Sequence, residues 1–333
     1  MLEWYVTTEV LQPANRARRY DKLGGYSMAV ILGCNSGIYN DDPGNDFSSK
    51  VSQPPVLGCR GYRDNVIIDP TMVPKSFGDI AGVKMLMSIR PHPDYFLSSG
   101  SHYNGNYKGS PVGPQIEDAI NAFLQDGCTT YGAAGLAPQL STWHEAGNLY
   151  QKGTDSNGMS WGTYLTASKV RSVHVKMWNM VQAVNANNPG AGIGYGPIMY
   201  YTGSSGSRDL SQMEQWFPSS SYPMDWYGVD TYDNNDQDLS DITKVTNYLD
   251  PFRTFVQGLS GLTNPKIDVP ECNSGTEGNR PWLFKNVANW LYNHGGKRLY
   301  TFYKCGGASG GCWLPGDTST INALNYIQNN YGS

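Results

Sequence analysis

Short apolar, β-rich runs alternate along the chain with polar Gly/Asn/Ser loops and with longer stretches of helical periodicity. The runs read Met28–Cys34, Val56–Gly61, Val83–Ile89, Ala137–Trp143, Ile193–Tyr200, Asp225–Thr231, Lys266–Pro270 and Arg298–Tyr303. Their apolar residues form nearly continuous runs, as in strands buried on both faces, and such strands belong to parallel sheets. Helical patterns fill most of the intervals, at Pro114–Gln125, Trp161–Asn185, Asp241–Gly258 and Arg280–His294, and a last one, Thr318–Asn330, follows the final run. Pro251 inside the third should kink or restart it. Eight strand-plus-helix units match a (β/α)8 TIM barrel, an α/β fold of roughly 250 residues plus insertions. The expectation is a single-domain barrel over residues 26–333 behind an N-terminal extension of residues 1–25. A doubly wound sheet would need a glycine-rich phosphate turn after an early strand. The dense run Gly190–Gly196 instead leads into one.

Composition narrows the partners. Charged residues make up 16% of the chain and the formal net charge is −4, while Gly (39), Tyr (23) and Trp (9) abound. No cluster of Lys and Arg is available to displace counterions, which argues against nucleic acid. No stretch approaches the roughly 20 apolar residues of a bilayer span, which argues against the membrane. A weakly charged, ring-rich surface suits a neutral polyhydroxylated ligand such as a polysaccharide, bound by a monomer. The segment Met1–Tyr20 carries Glu3, Glu9, Arg16, Arg18 and Arg19 and lacks an apolar core, so it does not read as a signal peptide. An extracellular or virion-associated location would need another route or a leader already removed. The six cysteines stand at 34, 59, 128, 272, 305 and 312, without a CxxC pair or a nearby His, so no metal is expected. Cys305–Cys312 and Cys34–Cys59 are candidate disulfides, against the alternative of six buried thiols.

In a barrel, functional side chains gather where strands end. The third run leads into Arg90-Pro91-His92-Pro93-Asp94, the fourth into Trp143-His144-Glu145-Ala146-Gly147-Asn148, and the seventh into Glu271-Cys272-Asn273. Two glutamates on strands four and seven should face each other across the mouth. Retaining glycoside hydrolysis needs such a pair, about 5–5.5 Å apart, one attacking the anomeric carbon and one protonating the leaving oxygen. An apolar ring and a neighbouring negative charge help an acid keep its proton; a nucleophile needs donors, for which Tyr232 and Arg60 are candidates. Glu277 competes as nucleophile but sits in a flexible Ser-Gly-Thr-Glu-Gly-Asn loop. Arg90 and His92 are candidates for sugar hydroxyls or for a salt bridge under the loop. Trp143, Asn148, Tyr303 and Trp313 complete the expected substrate contacts, with Trp313 a stacking platform or a loop anchor. Asp230 should lie inside the barrel beside a cation such as Arg60, and His174 and His294 should be ordinary helix residues. The loop Ser98–Pro114 could wall the cleft. A serine hydrolase lacks its Gly-x-Ser-x-Gly elbow here.

An acid/base glutamate on strand four and a nucleophile on strand seven is the pattern of the clan GH-A glycosidases. Trp143-His144-Glu145 resembles glycoside hydrolase family 26, the β-mannanases and related xylanases and lichenases. Tyr222–Tyr232 is similar to that family's Asp-Trp-x-Gly-x-Asp-x-Tyr segment, and the resemblance spans Val83 to Trp313. It implies Glu145 as acid/base, Glu271 as nucleophile, His144 as a substrate-site or orienting residue and Tyr232 as a donor near the nucleophile, with no cofactor. Cys272-Asn273-Ser274 replaces the aromatic-Gly often found after the nucleophile. A silent barrel acting as a carbohydrate-recognition module, and a hydrolase of a bacterial cell-wall glycan, are the alternatives.

Overall fold

The computed structural model describes residues 30–36, 58–77, 84–133, 138–147, 154, 160–201, 210–233, 238–303 and 318–332, without the side chains of 34–36, 58–65, 84–85 and 302–303. Ten strands form one parallel sheet: β1 (Ile31–Ser36), β2 (Gly58–Ile67), β3 (Lys84–Pro91), β4 (Gln139–Thr142), β5 (Gly194–Tyr195), β6 (Ile198–Met199), β7 (Tyr227–Val229), β8 (Thr231–Asp233), β9 (Ile267–Ser274) and β10 (Arg298–Tyr303). Five long helices are α1 (Val112–Asp126), α2 (Ala167–Asn187), α3 (Ile242–Ser260), α4 (Arg280–His294) and α5 (Thr318–Tyr331).

The strand order is β5-β4-β3-β2-β1-β10-β9-β7-β6, with β8 also on β9. The path therefore starts and ends on one stretch of chain, because only Gly196 and Pro197 separate β5 from β6. Proline cannot donate to a ladder, which accounts for the interruption of the single strand expected over Ile193–Tyr200. Leu86, Ile198, Trp226 and Tyr300, from strands or strand edges that are not all neighbours, form a buried cluster of their own. A second, much larger buried cluster joins residues of the strands with the apolar stripes of the helices.

Each helix buries a stripe at helical spacing and has identifiable ends. In α2 the stripe is Val170, Val173, Met177, Val181 and Val184, and Thr166 caps the start by accepting from the Lys169 amide at 3.3 Å. Asp241 caps α3 in the same way, accepting from the Lys244 amide at 3.0 Å. α3 and α4 stop at Gly261 (φ 69°) and Gly295 (φ 73°), left-handed positions that glycine takes without steric cost. The expected restart at Pro251 does not occur. Pro251 sits on the exposed side of one continuous α3, where the missing N–H and the ring's crowding of the preceding turn do not end the helix. No helix among the described residues is long and apolar enough to cross a membrane.

Cys128 and Cys272 are buried free thiols. Cys34 and Cys59 are register partners on β1 and β2; their side chains, Cys305–Cys312 and the extension 1–25 lie outside the described residues.

Candidate active site

The end of β4 is built from unusual backbone. Trp143 and Glu145 have φ of 50° and 52°, left-handed values that are rare outside glycine. Such a conformation costs roughly 1–2 kcal/mol per residue and persists only where neighbours fix it. Three bonds do so here: Trp143 N to the Ile89 carbonyl at 3.1 Å, Glu145 N to the Ile198 carbonyl at 3.1 Å, and Trp143 Nε1 to the Pro91 carbonyl at 2.8 Å. The twist sends neighbouring side chains in different directions. The Trp143 indole is 1% exposed and meets Trp161 edge-on at 5.8 Å. The expected substrate contact by Trp143 is thus corrected: its ring supports the site from behind. His144 turns inward and Glu145 stays half-buried.

The end of β9 is regular by comparison and buried at every position from Ile267 to Ser274. Pairing with β10 shifts between Val269 and Cys272, so this strand carries one residue more than its neighbour. The irregularity includes Pro270, whose ring would collide at 2.7 Å with any Cβ placed on Gly228. Bulges commonly re-aim a side chain beside an active site, and Glu271 is the residue next to this one.

Glu271 is 5% exposed. The Tyr232 hydroxyl donates to its Oε2, and His144 Nε2 stands 3.8 Å from its Oε1. The same His144 nitrogen is hydrogen-bonded to Oδ2 of the fully buried Asp230. Asp230 and Tyr232 are two residues apart on extended chain and so project to the same face. Burial, then the negative charges of Glu271, Asp230 and Glu145, push the Tyr232 hydroxyl well above its usual range. It therefore remains a proton donor at any working pH, and the Glu145 charge reaches it electrostatically. The Tyr200 ring meets Tyr232 edge-on at 6.0 Å.

Among the described residues, His144, Asp230 and Glu271 are also the group whose ligand atoms, all within 4.8 Å of one another, could hold a cation. The protons shared by His144 with Asp230 and by Tyr232 with Glu271 already engage these atoms, so the donor set reads as a hydrogen-bonded network.

The structure thus brings Glu145, Glu271, His144 and Tyr232 together. His92 and Arg90 lie one strand away. His92 Nδ1 accepts from the Asp94 amide at 3.1 Å, capping the short helix Pro93–Phe96, and its ring stacks on Tyr164 at 4.2 Å. The Arg90 guanidinium lies 5.7 Å over the Trp161 ring. The loop after β3 folds back on itself through His102 N to the Asp94 carbonyl and Gly113 N to the Tyr103 carbonyl, both 2.9 Å. Arg60 and Tyr303 sit on β2 and β10 with side chains outside the described residues, as are Asn148 and Trp313 entirely. The expected partnership of Asp230 with Arg60 falls on a side chain outside the described residues, while His144 is a partner that the structure does describe. Spacing along the chain offered no sign of that pair, whose members are 86 residues apart. A groove of about 990 Å³ between α2 and residues 211–222 lies elsewhere, lined by none of these side chains.

No protein-family model matches the sequence and no curated protein matches it. Solved structures do. The GH26 domain of an endo-β-mannanase/endo-β-glucanase from Prevotella bryantii is 12% identical, with 96% of this chain and 94% of that one covered at a TM-score of 0.50. A Bacillus subtilis mannanase is 12% identical over 92% and 87%, with a TM-score of 0.51. A GH26 β-mannanase from Bacteroides ovatus is 10% identical over 91% and 89%, with a TM-score of 0.52. At this identity the likeness is one of architecture: the chain has a clan GH-A fold, most like that of glycoside hydrolase family 26.

Proposed function

We propose that the protein is a retaining endo-glycanase of neutral polysaccharides, with a β-mannan the first candidate substrate, and that its sheet closes into a (β/α)8 barrel. Counting β5 with β6 and β7 with β8 as interrupted single strands gives eight strands, and both ends of the sheet path fall on one stretch of chain. The observation that carries the catalytic reading is the buried Glu271 carboxylate, fixed by the Tyr232 hydroxyl and flanked by His144, with the charge of half-buried Glu145 felt at the same hydroxyl.

In this reading Glu271 attacks the anomeric carbon while Glu145 passes its proton to the glycosidic oxygen, which leaves as the new hydroxyl. The glycosyl ester on Glu271 is then opened by water, whose proton returns to Glu145, and configuration is retained after two inversions. Tyr232 orients Glu271 and holds the carboxylate oxygen that does not attack. Asp230 fixes the ring of His144, which presents its edge to the nucleophile. No step requires a cofactor. The mannanases among the similar folds support β-mannan as the first substrate, and the ring-rich, weakly charged composition supports a neutral glycan.

The test is a panel of β-mannans, xylans, mixed-linkage glucans and bacterial cell-wall glycans, read as reducing ends, with Glu145→Gln and Glu271→Ala alongside. Release from one glycan, abolished in both variants, is the expected result. Release that survives Glu271→Ala would transfer the nucleophile's role elsewhere, and glycan binding without release from any substrate would make the chain a recognition module.

A further inference from the structure

The paired helices α4 and α5 present an outer face unlike those of the other long helices. α1, α2 and α3 each carry three charged residues. α4 and α5 together contain no Asp or Glu; their only Lys and Arg are Lys285 and the buried Arg280, and they carry seven asparagines. Asparagine is a poor helix former because its amide competes for the backbone, so local helix stability does not account for the choice.

Rings accompany these amides. Trp282 is 64% exposed and Tyr326 43%, in a fold that buries most of its large apolar side chains. The Tyr326 ring lies 4.8 Å from Lys285 Nζ and 6.1 Å from the Tyr331 ring, which in turn meets Tyr292 at 5.2 Å. Asn289 Oδ1 accepts from the Tyr331 hydroxyl at 3.3 Å and from Asn293 Nδ2 at 3.1 Å. The lower part of the strip, around Tyr326, Tyr331 and Tyr292, is therefore held in place by its own contacts before any ligand arrives. Its upper end is Trp282, in the first turn of α4, just after Arg280 Nε donates to the carbonyl of Ser274, where the strand of Glu271 ends. From Trp282 to Tyr292 it descends α4 by about 15 Å.

This chemistry selects its ligand. Flat ring faces take the C–H face of a pyranose. Side-chain amides offer a donor and an acceptor together, matching sugar hydroxyls. A face with one cation cannot hold a polyphosphate backbone, and interleaved amides are poor cover for an apolar protein surface. We propose that the α4–α5 outer face is a second polysaccharide-binding surface, which holds a neutral glycan chain against the flank that carries the Glu271 strand. The choice of a neutral glycan draws on the functional reading above; the placement of the surface does not.

The test is the mobility of the full-length chain in native gels containing β-mannan, xylan or mixed-linkage β-glucan, in a Glu271→Ala background that leaves the glycan uncut. Adding Trp282→Ala and Tyr326→Ala should weaken retention at least fivefold. The same two substitutions on otherwise wild-type protein should leave cleavage of a short oligosaccharide within twofold, and Tm unchanged. Trp282→Phe, which keeps a ring, should restore much of the retention. Equal retention with and without the ring substitutions would overturn the proposal. So would failure of all three glycans to retard the protein, or a self-association in sedimentation that Trp282→Ala abolishes. Strip-dependent retention by a chain that cuts no glycan would refute the catalytic reading and leave this surface standing.

Discussion

The two strand ends that carry the candidate carboxylates are built in opposite ways. β4 is four residues long, and the chain leaves it through two left-handed residues, Trp143 and the half-buried Glu145 itself. β9 is eight residues long, buried throughout, and places Glu271 beside a register shift and under the Tyr232 hydroxyl. A group that must give a proton to a leaving oxygen and take one from water needs access. A group that must form and release an ester at one carbon needs a fixed position and a donor that never loses its proton. The difference shows one residue type given two roles by exposure, backbone and neighbours rather than by its own chemistry.

The largest test of that contrast is the pair Glu271→Ala and Glu145→Ala. The first should reduce turnover by ~10⁵-fold on every glycoside. The second should cost ~10²–10⁴-fold on natural glycans, yet spare glycosyl-enzyme formation from an aryl glycoside whose leaving group needs no proton, giving a burst in rapid-mixing kinetics. Equal losses on both substrate types would remove the distinction. Tyr232→Phe deletes the donor to the nucleophile alone, and kcat should fall by ~10²-fold with melting little changed. Asp230→Ala leaves His144 facing Glu271 without its buried partner. Breaking one side of such a pair costs about 3–5 kcal/mol, to be read in chemical denaturation, and a stability equal to wild type would dismiss the pair as a fixture of the site.

A last effect, on stability and its pH dependence alone, lies behind β4. His174, on α2, is 3% exposed and shares hydrogen bonds with Thr142 (3.3 Å) and with the Tyr195 hydroxyl (2.7 Å). Burial lowers its pKa from 6.5 to about 3. The unfolded chain therefore binds a proton that the folded one refuses, and the resulting loss of stability grows as pH falls through 6.5 and levels off below about 3. His174→Gln keeps a polar group at this position and removes the titration. Its stability relative to wild type should improve between pH 6.5 and 4, and parallel pH curves would contradict the assignment.

Much of the scaffold was legible because strand and helix periodicities are local. Arg298–Tyr303 and Arg280–His294 fall where the pattern put them. The break between β5 and β6 was readable too, from Pro197, had its missing donor been weighed. The glutamates and Tyr232 could be proposed because they follow strand ends. Trp143 could not be placed, since adjacency to Glu145 suggested a shared surface and a left-handed backbone separates the two side chains. The His144 partner of Asp230 went unread because two residues 86 positions apart leave no mark in local spacing. The α4–α5 face was visible as composition, yet only helix packing shows that the Tyr326, Tyr331 and Tyr292 rings meet.

The most direct measurement of the central claim is to trap the intermediate. A fluorinated glycoside of the sugar identified by the panel, with an activated leaving group, slows the second step more than the first. The account predicts an intact-mass increase of one glycosyl unit, located by peptide mass spectrometry on Glu271 and absent from Glu271→Ala. A label on Glu277, or hydrolysis that yields the inverted anomer with no adduct at all, would contradict it.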